Sequence, residues 1–144
     1  MKFILPTLAL IMFAFTPNAS AEDMAKDTMT KPSTTIVAFH ADWCGGCKIL
    51  GPKMEKVMNG LDAETKAKLT KIKFDFTDDT TKAASKTMAK EKGLANLYPS
   101  ADTKPPTGVL KVVDTKTGAV LAKIHYKMSE EEIAGTLKAV TSRS

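Results

Sequence analysis

Cys44 and Cys47 are the only two cysteines of the 144-residue chain, and the residues between them, Gly45 and Gly46, bring no side chains of their own. A Cys-x-x-Cys pair supports three kinds of chemistry: a cross-link, a thiolate clip for Cu(I) or Zn(II), or a dithiol that exchanges electrons with other disulfides. The cross-link is weak here, because closing so small a ring removes almost no entropy from the unfolded chain. Soft thiolates suit both metals, but zinc needs further ligands, and only His40 is nearby in sequence. The dithiol fits the position best. The pair follows the apolar run Thr35-Ile36-Val37-Ala38-Phe39 and opens a helical pattern. At a helix start, unpaired N–H groups and the positive end of the dipole stabilise a thiolate on the first cysteine. One turn of helix then carries the second sulfur back to it.

The elements that must hold this pair can be read in order. Thr34 to Phe39 is β-branched and apolar, a buried strand. A helix is expected from about Cys44 to Asn59 with Gly60 as its stop, burying Ile49, Leu50, Met54, Val57, Met58 and Leu61, and kinked at Pro52. Asp62 to Leu69 reads as a short capped turn, and Lys71 to Phe76 alternates as a strand with Ile72, Phe74 and Phe76 on one side. A helix from about Thr81 to Lys92 presents Ala83, Ala84, Met88 and Ala89, and Leu94 to Lys104 is a loop. Val109 to Val113 and Ala119 to Tyr126 form a hairpin across Asp114-Thr115-Lys116-Thr117-Gly118. Ser129 caps a last helix ending near Thr141, with Ile133, Leu137 and Val140 inward. This order predicts parallel strands at the first two crossovers and an antiparallel hairpin at the edge.

Composition limits the alternatives. The chain is 43% hydrophobic and 26% charged, which suits one globular domain. Its formal charge of +5 is carried by lysines and the single Arg143, without the Arg forks and interleaved aromatics of nucleic-acid readers. No nucleic-acid partner is expected, and the protein is read as a monomer. Lys2, the apolar run Phe3 to Phe15, and Ala19-Ser20-Ala21 have the layout of a cleaved export signal over residues 1–21, with a flexible leader over 22–33 and the folded domain over 34–144. Periplasmic location follows as the expectation.

The segment Phe39-His40-Ala41-Asp42-Trp43-Cys44-Gly45-Gly46-Cys47-Lys48 resembles the thioredoxin active-site signature. Pro52 matches that family's helix proline, and Pro106-Thr107 is similar to its cis-proline loop. The resemblance covers about residues 34–141 and is nearest to exported thioredoxin-like domains, such as the soluble domain of membrane thiol–disulfide transporters. It implies an α/β thioredoxin fold, a central mixed four-stranded sheet flanked by helices. It also implies a protein-disulfide reductase with no cofactor beyond its own disulfide, acting on protein or peptide disulfides and re-reduced by a membrane thiol carrier. Cys44 would be the exposed nucleophile and Cys47 the more buried resolving thiol; Trp43 would shield the site. Pro106, if cis, would present Pro105 and Thr107 to a bound peptide.

Three departures bear on tuning. Ala38 stands where many relatives bury an acid that assists proton transfer. His40 stands where an aromatic is common; as an imidazolium it would favour the thiolate and a more oxidising pair, and as a packing residue it would do little. Gly45-Gly46 matches neither the reductant nor the oxidant pattern, so an oxidase or isomerase variant of the same fold is the alternative, beside the Cu(I)/Zn(II) clip. His125 has no evident partner and reads as structural.

Overall fold

A computed structural model describes residues 31–143; the expected signal over residues 1–21 and most of the leader lie outside them. The leader's last residue, Ser33, is tied down: its carbonyl accepts the Thr115 amide at 2.9 Å. The chain then forms β1 (Thr34–His40), α1 (Gly45–Gly60), α2 (Ala63–Ala67), β2 (Leu69–Asp75) and α3 (Asp79–Glu91). A 3-10 turn at Ala95–Leu97 leads to β3 (Val109–Asp114), β4 (Val120–His125) and α4 (Glu130–Thr141).

The strands make one four-stranded sheet in the order β2-β1-β3-β4. The β1–β2 pair is parallel, and β1–β3 and β3–β4 are antiparallel. The expectation of parallel neighbours at both crossovers therefore holds only for the first. After α3 the chain does not enter β3 at once; residues 92–108 carry it back to the end of the sheet where β1 finishes. There Gly108 donates its amide to the Phe39 carbonyl at 3.2 Å, and β3 starts downward. A stretch of that length can span a seven-residue strand with ease, so local patterns do not determine the direction of β3.

Caps fix the helix starts. Asp62, Asp78 and Ser129 each accept the amide three residues on, and the last two complete reciprocal capping boxes. Between one sheet face and α1 and α4 lies an aliphatic core of Ile36, Leu50, Met54, Val57, Val112, Ile124, Ile133 and Leu137. The other face carries Phe39, Phe74 and Phe76, with Leu97 and the two cysteines in the same cluster.

One burial expectation fails, and α3 packs only lightly. Ile49 is 49% exposed; it precedes Leu50, which takes the inward position of that turn. In α3 the buried residues are Ser85 and Ala89, whereas Ala83, Ala84 and Met88 are exposed. The hydroxyl of Ser85 accepts the Asp75 amide at 2.7 Å and donates to the Asp75 carbonyl at 3.2 Å, so a polar residue makes the contact.

Candidate functional site

The end of β1, the start of α1 and the loop before β3 converge on the cysteines. Residues 41–43 turn the chain out of β1. The Cys44 amide bonds the Ala41 carbonyl at 3.0 Å, and the Asp42 amide bonds the Thr77 hydroxyl at 3.1 Å. Thr77 is in turn held by Asp75, whose carboxylate accepts its amide at 3.0 Å. Burial pushes the Asp75 carboxyl up, but the Thr77 hydroxyl and amide and the neighbouring Lys73 outweigh it, so Asp75 lies below the usual carboxylate range.

Cys44 is the N-cap of α1 and forms a disulfide with Cys47 across a Cα–Cα distance of 5.3 Å. Burial does not separate the two sulfurs as expected, since the residues are 7% and 8% exposed. Their electrostatic surroundings do separate them. The Cys47 amide donates to Cys44 Sγ at 3.1 Å, at the positive end of α1, where a thiolate is stabilised. Cys47 Sγ lies 3.6 Å from the Phe39 carbonyl oxygen, which favours a protonated thiol able to donate to it. The two sulfurs thus differ in their polar surroundings and not in their burial.

Among the other expected site residues, Trp43 is 56% exposed and stands open at the surface beside Cys44. The Pro105–Pro106 bond is trans, as is every peptide bond among the described residues, which corrects the expected cis-proline. The trans form is the ordinary preference of an X–Pro amide. Here the reversal is made otherwise: the Thr107 amide closes a tight turn onto the Pro105 carbonyl at 2.8 Å, and Gly108 takes φ 78°. Gly108, which the sequence reading passed over, is what meets the disulfide. A Cβ there would sit 3.5 Å from Cys44 Sγ and 3.4 Å from Gly46 Cα. Tyr126 was also missed; its ring lies against Gly46. The signal for Gly108 was present, a glycine directly after Pro-Pro-Thr, whereas nothing local marks Tyr126.

His40 turns Nε2 toward Asp42 Oδ1 at 3.1 Å. A cavity of about 320 Å³ opens beside Cys47, lined among others by Ala38, His40, Met54, Lys71 and Lys73. The small Ala38 side chain lines this space without filling it. No cluster of three or more His, Cys, Asp or Glu side chains able to hold a metal occurs among the described residues. His125 is exposed on β4.

A thioredoxin family model matches residues 16–90. The mitochondrial thioredoxin of Bos taurus is 40% identical over 58 residues, covering 40% of this chain and 32% of that protein. The thioredoxin of Pseudomonas aeruginosa is 29% identical over 63 residues, covering 44% of this chain and 56% of that one. The matched stretch thus spans about a third of the mitochondrial relative and just over half of the bacterial one. Among solved structures, Trxlp from Edwardsiella tarda has 17% identity and a TM-score of 0.48, covering 76% of this chain and 85% of that chain.

Proposed function

The chain belongs to the thioredoxin family, and from that premise we propose that it is a thiol–disulfide oxidoreductase that reduces protein disulfides through Cys44 and Cys47. The observation that carries this reading is the disulfide at the N-terminus of α1, with the Cys47 amide directed at Cys44 Sγ. In the reduced enzyme, the Cys44 thiolate attacks one sulfur of a substrate disulfide. A Cys44–substrate bond forms, and the first substrate thiolate leaves and takes a proton. The Cys47 thiol gives up its proton and attacks Cys44 Sγ, expelling the second substrate thiolate. Two electrons have then passed to the substrate, and the Cys44–Cys47 bond is restored. Ala38 supplies no base for the second step, so water or another base takes the Cys47 proton, and the cavity beside Cys47 gives it access.

The substrate meets Trp43 and the Pro105-Pro106-Thr107 turn. A membrane thiol carrier in an exported compartment returns the electrons. Lys2, the apolar run to Phe15 and Ala19-Ser20-Ala21 support that location. Export of a reporter fused after residue 30 is the expected result, and cytosolic retention overturns the compartment alone.

Insulin reduction with dithiothreitol tests the activity. Cys44→Ser and Cys47→Ser are each expected to remove the protein's acceleration, and a Cys44→Ser protein equal to wild type overturns the reading. Stoichiometric copper or zinc in the purified protein would favour the metal-clip alternative instead. Equilibration with glutathione sets the direction: a potential on the reducing side is expected, and one near about −120 mV, typical of strong oxidants, excludes a reductase.

A further inference from the structure

Tyr126 directly follows β4 and precedes the α4 cap, yet its ring covers the second residue between the cysteines. A Cβ built on Gly46 would stand 2.9 Å from Tyr126 Cδ1 and 3.4 Å from both Cγ and Cε1. At Gly45 the same construction meets nothing within 4 Å. Gly46 is therefore a glycine because an aromatic ring from a distant loop already occupies its side-chain space. Lys53 of α1 holds that loop in place, donating from Nζ to the Tyr126 and Met128 carbonyls, each at 2.9 Å. Tyr126 is 38% exposed, so it packs on the first turn of α1 while part of it faces solvent.

We propose that Tyr126 is a positioning residue of the Cys44–Cys47 site: its ring stands in for the side chain Gly46 lacks and holds the stretch between the two sulfurs in place. The proposal rests on the exchange reading above for what the site does. Its physical basis is the flexibility of Gly45-Gly46. Glycine loses more conformational freedom on ordering than any other residue, so an unsupported pair would let the reduced sulfurs drift apart. Drift lowers the effective concentration of one thiol toward the other and disfavours disulfide closure. A ring fixed over Gly46 by Lys53 limits that drift, and so favours the disulfide.

The test is equilibration of the purified protein with a reduced and oxidised glutathione series, read by thiol alkylation. This measures the cysteine pair whether or not any protein substrate is reduced. Tyr126→Ala is expected to move the equilibrium toward the dithiol by about threefold to tenfold. Tyr126→Phe, which keeps the ring, should stay within about twofold of wild type, and Lys53→Met should move it in the Ala direction by less. Gly46→Ala displaces the ring in wild type but has no ring to displace beside Tyr126→Ala, so the two effects are non-additive. Tyr126→Leu replaces Tyr126→Ala if the latter loses cooperative unfolding. A folded Tyr126→Ala or Leu protein within about twofold of wild type, or Tyr126→Phe shifting as far as Ala, overturns the proposal. If the series behaves as expected while wild type fails to reduce insulin, the exchange reading fails and the placement of Tyr126 stands.

Discussion

On one face of the sheet, Ile36, Val112 and Ile124 meet Leu50, Met54, Val57, Ile133 and Leu137 from two long helices. On the other, Phe39, Phe74 and Phe76 meet Tyr98, Leu97 and Ala89, and the disulfide joins that cluster. The aliphatic side is covered by interlocking branched side chains. The aromatic side is covered more thinly: α3 buries only Ser85 and Ala89, and a groove of about 570 Å³ runs along it, lined by Thr35, Ile72, Met88 and Leu94. Phe39 packs edge-on against Phe74 at 5.7 Å and parallel to Phe76 at 6.2 Å. Tyr98 closes the group by donating its hydroxyl to the Lys82 carbonyl at 2.9 Å. Large flat side chains here do with few residues what many aliphatics do opposite, and they form a stiff backing for the sulfur chemistry.

Emptying each core in turn separates the two faces. Phe39→Ala is expected to cost about 3–5 kcal/mol and Leu137→Ala about 2–5 kcal/mol, measured by denaturant unfolding. Only Phe39→Ala should also move the glutathione equilibrium, because its ring packs in the same cluster as Cys44 and Cys47. Equal movement by Leu137→Ala would show that the disulfide is coupled to both faces alike.

Ser85 tests the thin cover itself. Its hydroxyl is the contact between α3 and the end of β2, and the residue is 3% exposed. Ser85→Ala leaves the Asp75 amide without that partner, so a loss of about 1–3 kcal/mol is expected. Ser85→Ala unfolding at the wild-type midpoint would mean that water replaces the bond at no cost.

The sequence made the locally determined features legible and left the distant contacts hidden. The α1, β2 and α4 boundaries are readable to within one or two residues because caps and apolar periodicity are local signals. Cys44, Cys47 and the strand-to-helix junction that holds them are readable for the same reason. The direction of β3, the burial of Ser85, and Tyr126 over Gly46 all depend on residues brought together by the fold. Gly46 shows the limit most clearly. As a residue it indicates only flexibility, and its meaning comes from a ring held there by Lys53. The turn at Pro105-Pro106-Thr107 is where resemblance misled, since Gly108 does the reversing.

Acid should distinguish the periphery from the site. Asp62 lies below the usual carboxylate range through the amide and hydroxyl of Thr65, and Asp114 through those of Thr117. Asp75 lies below it because the Thr77 and Lys73 contacts overcome burial. Each binds its proton less readily folded than unfolded, so its contribution is complete above about pH 4 and is lost as pH falls through the depressed values. Melting temperatures followed from neutral pH downward should fall below that point. Asp75→Asn and Asp114→Asn should each flatten the fall, and only Asp75→Asn should alter the dithiol, since Asp75 supports the Thr77–Asp42 loop. An unchanged acid profile in both variants would remove these carboxylates from the account.

The smallest expected effect lies where the aromatic face has no helix. Lys111 of β3 lays its stem over that face, with Nζ 4.9 Å from the Phe39 ring centroid. Burial first, and then the charge of Lys123, hold its amine below the ordinary lysine range. The folded protein therefore releases this proton more readily than the unfolded chain. Stability should rise with pH from the depressed value up to the ordinary one of about 10.4. Lys111→Met keeps the covering stem, removes the desolvated charge and loses the cation–ring attraction, so its net effect at neutral pH should stay within about 1 kcal/mol. What it should abolish is Lys111's share of the alkaline rise, read from unfolding midpoints between pH 8 and 10. A rise that persists undiminished in Lys111→Met would mean that the charge sits in water, and that the ring of Phe39 is covered by the stem alone.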